Sequence, residues 1–156
     1  NISQGVWQVL PSVVAISEGN YGNVQSLVLA QTATTLTASW TNNAGSNMGL
    51  TAGGRSIVLA DADLMWMVAY NVEKNEAVMA SGLTPTREDQ SAAFARPANW
   101  VAGDHIHLYV FTMAHQVYEY MTIPESMTDE DIATAKEYIE QGYAFSETMN
   151  ANVTLT

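Results

Sequence analysis

Short stretches of period-two alternation run along the chain. From Thr34 to Thr41, Leu36, Ala38 and Trp40 fall on one side and Thr35, Thr37, Ser39 and Thr41 on the other, which predicts a strand with one buried and one wet face. Further strand runs occupy Ser12–Ser17, Gln25–Gln31, Glu76–Ser81, Ser91–Ala95, His105–Met113 and Asn150–Thr156, with Gly, Asn, Asp or Pro in most of the stretches between them, and Gln25–Gln31 should pair with Thr34–Thr41. Leu64–Asn71 breaks the alternation, because Met65-Trp66-Met67-Val68 is apolar throughout; this predicts a strand covered on both faces, by a long loop or by a partner. It should pair with Glu76–Ser81 as a hairpin around Asn71–Asn75. The expected fold class is all-β, an antiparallel β-sandwich.

One segment changes period. Thr128 three residues before Asp131 reads as a capping box variant, acids at 129 to 131 suit the positive end of a helix, Ile132, Ala135 and Ile139 recur at helical spacing, and Gly142 supplies a stop. The single helix expected is Asp129–Gln141, lying against the sandwich by a narrow apolar edge. Residues 117–147 hold eight acids against Lys136, −7 of the formal −11, so most of the charge belongs to this insert. The domain reading is an N-terminal arm over residues 1–11, then a sandwich over 12–156 with a helical insert at about 117–147.

The segment from Asn42 to Asp63 is rich in Gly and Asn and predicts a long loop without sustained strand, available for assembly or ligand contact. Gly45, Gly49, Gly53 and Gly54 do not have the spacing of a phosphate-binding loop, and no Lys-Ser or Lys-Thr follows them. With 156 residues the chain suits one domain. Only 13% of residues are charged, so Asn, Thr, Ser and Gln must supply the polar surface, as is common on exported and virion proteins. Five basic residues against sixteen acids argue against a nucleic-acid backbone or an anionic membrane as partner, and no apolar stretch is long enough to span a bilayer. Without cysteine, neither disulfides nor thiolate metal sites arise, and no cofactor is implied.

Candidate chemistry is sparse. His105 and His107 lie two apart on a strand and point the same way; with His115 they offer a three-imidazole metal set, backed by Asp104. The alternative is a pair decorating a wet strand face. Asp61 and Asp63, close to Asn42 and Asn43, offer oxygens for calcium, though two acids are few for that ion. No nucleophile elbow or triad signature occurs, so no catalytic residue is assigned. Trp40 and Trp66 are expected in the core, whereas Trp100, in a turn, is the best exposed aromatic for a sugar or receptor.

Three pieces together carry a family likeness: Leu36-Thr37-Ala38-Ser39-Trp40-Thr41-Asn42-Asn43, Val68-Ala69-Tyr70-Asn71-Val72-Glu73-Lys74-Asn75-Glu76-Ala77-Val78, and Pro97-Ala98-Asn99-Trp100-Val101-Ala102-Gly103-Asp104. They resemble uncharacterised β-rich proteins of Bacteroidota, a domain of unknown function whose C-terminal half is immunoglobulin-like or fibronectin-like. The resemblance covers roughly residues 12–115; the chain departs from it by lacking a Gly-rich N-terminal half and by inserting the acidic helix. It implies an immunoglobulin-like or fibronectin-like sandwich and no enzyme activity. The function expected is a non-catalytic structural subunit of an extracellular, cell-surface or virion assembly. Its partners would be other copies of itself or other subunits, met through the long loop, the acidic insert and an arm carrying Val6, Trp7, Val9 and Leu10, which would add a strand to the next copy. A monomeric module binding a surface glycan or a receptor is the alternative.

Overall fold

The computed structural model describes residues 14–80 and 84–156. In chain order these hold β1 (Gln25–Gln31), β2 (Thr35–Thr41), β3 (Asn47–Ala52), β4 (Arg55–Val58), β5 (Leu64–Asn71), β6 (Glu76–Met79), β7 (Ser91–Ala95), β8 (His105–Met113), α1 (His115–Thr122), α2 (Asp129–Glu140) and β9 (Met149–Thr154). A three-stranded sheet runs β1-β2-β7 and a four-stranded sheet β6-β5-β8-β9, both antiparallel throughout. The expected all-β character is therefore present, with two short helices beside it.

The two sheets enclose one core. Leu36, Ala38 and Trp40 of β2, Leu29 of β1 and Phe94 of β7 meet Met65, Met67 and Ala69 of β5 and Ile106, Leu108 and Val110 of β8. Alternation fixes the register: Met67 pairs with Val110 and Ala69 with Leu108, all facing inward, and a slip of one residue would turn every one of them outward. The β1 and β9 edges are tied by Gln31, whose Nε2 donates to Thr154 O at 2.7 Å and whose Oε1 accepts from Thr156 N at 3.1 Å.

A second core lies at the end of the sandwich, where Ala52, Ile57 and Leu59 pack with Leu64, Met113, Ala114, Val117 and Tyr138. Two corrections arise here. The Asn42–Asp63 stretch is not a plain loop: it contains the β3–β4 hairpin, and Gly53 and Gly54, both at positive φ (57° and 74°), form its two-residue turn. Those glycines are the connection between strands rather than a sign that strands are missing. A second helix, α1, also stands where none was expected. Its N-cap is Ala114, which has no capping side chain, and its first amide, His115 N, donates instead to Asp63 Oδ1 at 3.0 Å. A cap supplied from 52 residues away leaves no local signature.

Helix α2 starts and stops where its signals stand. Thr128 Oγ1 accepts from Asp131 N at 3.1 Å, and Gly142 follows the end at φ 77°. Its buried stripe differs from the expected one: Thr134, Ala135 and Tyr138 face inward and Ile139 is exposed. The insert also begins earlier than residue 117, at His115. Residues 14–17 form no strand, against the expectation for Ser12–Ser17; Ser12 and Val13 lie outside the described residues.

Candidate interaction surface

The histidines do not converge. His105 and His107 do share one face of β8, but His115 opens α1 beyond the strand's far end, and ten residues of extended chain amount to about 33 Å. Each ring has its own neighbour: His105 Nδ1 is 2.6 Å from Glu73 Oε1, His107 Nδ1 is 3.4 Å from Asn150 Oδ1, and His115 Nε2 is 3.2 Å from Glu119 Oε1. Among the described residues no three His, Asp or Glu side chains come together as a metal set.

Asp63 is likewise engaged by the protein's own cation. It is 1% exposed and pairs with the fully buried Arg87, its Oδ2 accepting from Nε at 3.2 Å and Nη2 at 3.1 Å. The same oxygen accepts from the Tyr21 hydroxyl at 2.7 Å and from Ala60 N at 2.9 Å. Arg87 spends its remaining donors on Gly22 O, Asn23 O and Asn43 Oδ1. This cluster ties the strand connections to both cores. Burial, reinforced by the Asp63 charge, pushes the Tyr21 hydroxyl far above its ordinary range and keeps it neutral. Asp61 is engaged separately, accepting from Asn42 Nδ2 at 2.8 Å.

Trp100 is a correction too. Its ring is 2% exposed, so it belongs to the core and not to a stacking platform, and its Nε1 donates to Glu76 Oε2 at 2.9 Å. The β5–β6 hairpin and the Pro97–Asp104 turn thus lock together. Asn71 Nδ2 donates to Asp104 Oδ2 at 2.8 Å, Asn99 Nδ2 to Glu76 Oε2 at 2.9 Å, and His105 N to Glu73 Oε2 at 2.6 Å. These bonds hold all three carboxyls below the usual range: Asn71 foremost for Asp104, Asn99 and then Trp100 for Glu76, and the His105 amide for Glu73. The Tyr-Asn-x-Glu-Lys and Trp-x-x-Gly-Asp pieces are two halves of one structural joint.

The outer face of the four-stranded sheet is apolar and aromatic, its side chains half-buried except for the buried Tyr109. Where β5 and β8 send Met65, Met67, Ile106, Leu108 and Val110 inward, they send Trp66, Val68 and Tyr70, and His107, Tyr109 and Phe111, outward. Cross-strand pairs set these as a row: Trp66 against Phe111, Val68 against Tyr109, Tyr70 against His107. Trp66 and Phe111 stack at 6.5 Å between ring centres, and Phe145 meets Phe111 edge-on at 5.9 Å. No acid or lysine interrupts the outward positions of β5 and β8 between Leu64 and Met113. One groove of about 350 Å³ lies over Val68, Tyr70, Val72, Ala77 and Tyr109, with Val14 and Ile16 on its wall. A second, of similar volume, lies between Trp66, Phe111 and Phe145 and the α1 residues Tyr118 and Met121. Met121, 64% exposed, is part of its lining, and Met79, 60% exposed, pairs with Val68 on the edge strand β6. The unbroken Met65-Trp66-Met67-Val68 run carried this signal in the sequence; the contribution of α1 did not show, because the helix itself did not. The arm residues Val6, Trp7, Val9 and Leu10 lie outside the described residues.

A family described as "Family of unknown function (DUF6266)" matches residues 7–119. No curated protein and no solved structure gives a match to the chain.

Proposed function

We propose, from the premise that the chain belongs to the DUF6266 family of unknown function, that it is a non-catalytic structural subunit that docks to neighbouring subunits through the apolar outer face of its four-stranded sheet. The observation that carries this reading is the aromatic row Trp66–Phe111, Val68–Tyr109 and Tyr70–His107, grooved and free of charge, on a chain of net charge −11. An apolar face of this kind, rimmed by polar surface, is what a protein contact uses. The neighbours are further copies or other subunits of an extracellular, cell-surface or virion assembly, and the two sheets are of the immunoglobulin-like or fibronectin-like kind. The insert takes a smaller part than its charge suggests, since Arg55 already engages Glu130 at 2.7 Å and Asp131 at 2.8 Å.

Light scattering on the purified chain, followed by electron microscopy of any large species, tests the reading. Rings, fibres or defined oligomers are expected; a clean monomer at every concentration refutes self-assembly. A second reading, a monomeric glycan- or receptor-binding module, draws on the parallel rings of His107 and Tyr109, 6.3 Å apart at 18°, beside the amide of Asn150. It predicts glycan binding that His107→Ala, at a half-buried ring, abolishes. Trp100→Ala cannot serve as that test, because removing a buried indole would damage the core.

A further inference from the structure

Side-chain sulfur in this chain belongs to methionine alone, because it has eight methionines and no cysteine. All eight lie among the described residues, and folding sorts them. Met65, Met67 and Met113 are buried, Met48, Met127 and Met149 are half-buried, and Met79 and Met121 are the two that stand exposed. Both border the same surface. Met79 pairs with Val68, an outward position of β5, and Met121 lines the groove that also holds Trp66, Phe111 and Phe145. Trp66 and Val68 are alternate residues of one strand, so the two thioethers flank a single row of side chains, Met79 from the edge strand β6 and Met121 from α1. A dissolved peroxide meets these two without any opening of the fold, whereas it reaches Met65, Met67 and Met113 only when the cores open.

We propose that Met79 and Met121 are the oxidation sites of this chain and that peroxide, by converting them to sulfoxides, switches off self-association through the outer face; the switch rests on the assembly reading above. The step is an oxygen transfer. The thioether sulfur attacks one oxygen of hydrogen peroxide, the O–O bond breaks as an S–O bond forms, sulfur is oxidised to the sulfoxide, and the other oxygen leaves as water with both protons. A thioether is an apolar, adaptable contact for aromatic rings, and a sulfoxide is polar, with a strong acceptor oxygen. Val68 opposite Met79, and Phe111 and Phe145 beside Met121, offer that oxygen no side-chain donor, so covering it with a second copy leaves it unsatisfied. Enzymatic reduction of both sulfoxide epimers restores the face.

Hydrogen peroxide is the probe. Peptide mapping by mass spectrometry follows oxygen uptake at each methionine in dilute protein, and light scattering follows the particle mass before and after treatment. Met79 and Met121 should gain oxygen several-fold faster than Met65, Met67 and Met113, and oligomers present before treatment should fall to the mass of one chain. Met79→Leu with Met121→Leu, which keeps both positions apolar and removes both sulfurs, should hold its own mass through the same treatment. Equal rates at exposed and buried methionines overturn the site assignment. A parent oligomer that survives full oxidation of Met79 and Met121 overturns the switch and leaves the docking reading standing; a leucine variant that dissociates under peroxide as its parent does overturns it too. A parent that is monomeric before any peroxide is added removes the docking reading, and the switch falls with it.

Discussion

Arg87 and Asp63 are the residues on which most of the fold converges, and neither is conspicuous in the sequence. Each is buried and each completes the other's hydrogen bonding, while Arg87 O also accepts from Trp40 Nε1 at 2.9 Å in the main core. Removing one member leaves a desolvated charge without its partner, which costs about 3–5 kcal/mol. Asp63→Asn and Arg87→Met should each lower the unfolding free energy by that amount in urea titration, and a loss below about 1 kcal/mol would show that the pair is not essential. The ionisable groups predict a pH window as well. The Tyr21 hydroxyl is raised by burial beside Asp63, so its contribution is complete below the ordinary tyrosine value of about 10 and is lost as pH rises above it. Glu73, Glu76 and Asp104 are lowered, so their contribution is complete above about 4 and is lost as pH falls further. Thermal melting across pH should give a plateau between these limits, with Tyr21→Phe flattening the alkaline side; a midpoint that climbs above pH 10 would contradict the assignment.

At the scale of elements, what was legible followed from local chemistry and what was not came from distant partners. The pairing of β1 with β2, the β5–β6 hairpin, β7, β8 and α2 could all be read from alternation, turn residues or capping. The helix α1 could not, since Asp63 caps it from afar, and β3–β4 was hidden because its strands are short and glycines stand before them and in their turn. Position told little about Trp100: a turn residue, it points inward because Glu76 receives its indole N–H. The seam between β3–β4 and α2 gives a test of element packing. Gly53 sits at φ 57° with its amide donating to the Glu137 carboxylate, and a Cβ there would stand 2.6 Å from Thr134 Oγ1. Gly53→Ala therefore pays both the left-handed backbone cost of about 1–2 kcal/mol and the displacement of α2. Gly54→Ala, at φ 74° with nothing within 4 Å of the added carbon, pays the backbone cost alone. Denaturant titration should rank Gly53→Ala clearly below Gly54→Ala; equal values would mean that α2 does not need this close approach.

For the whole molecule, shape and charge act against each other. A net charge of −11 repels like copies, whereas the aromatic row of the four-stranded sheet gives them an uncharged place to meet. Salt screens the first effect within about 10 Å at 0.1 M and leaves the second in place, so association should strengthen as salt rises, opposite to a contact made by ion pairs. The unbroken Met65-Trp66-Met67-Val68 run foreshadowed the face; β8, expected to turn a wet side outward, adds to it because its aliphatic residues point in and its rings point out. What the linear order could not show is that α1 and the Val14–Ile16 segment border the same surface. The most direct measurement is the light-scattering mass of the protein beside Met121→Glu, a change at a 64% exposed side chain on the margin of that face. The account predicts an oligomer for the parent chain, heavier at higher salt, and a folded monomer for the variant; a variant that assembles as its parent does would place the contact elsewhere and contradict it.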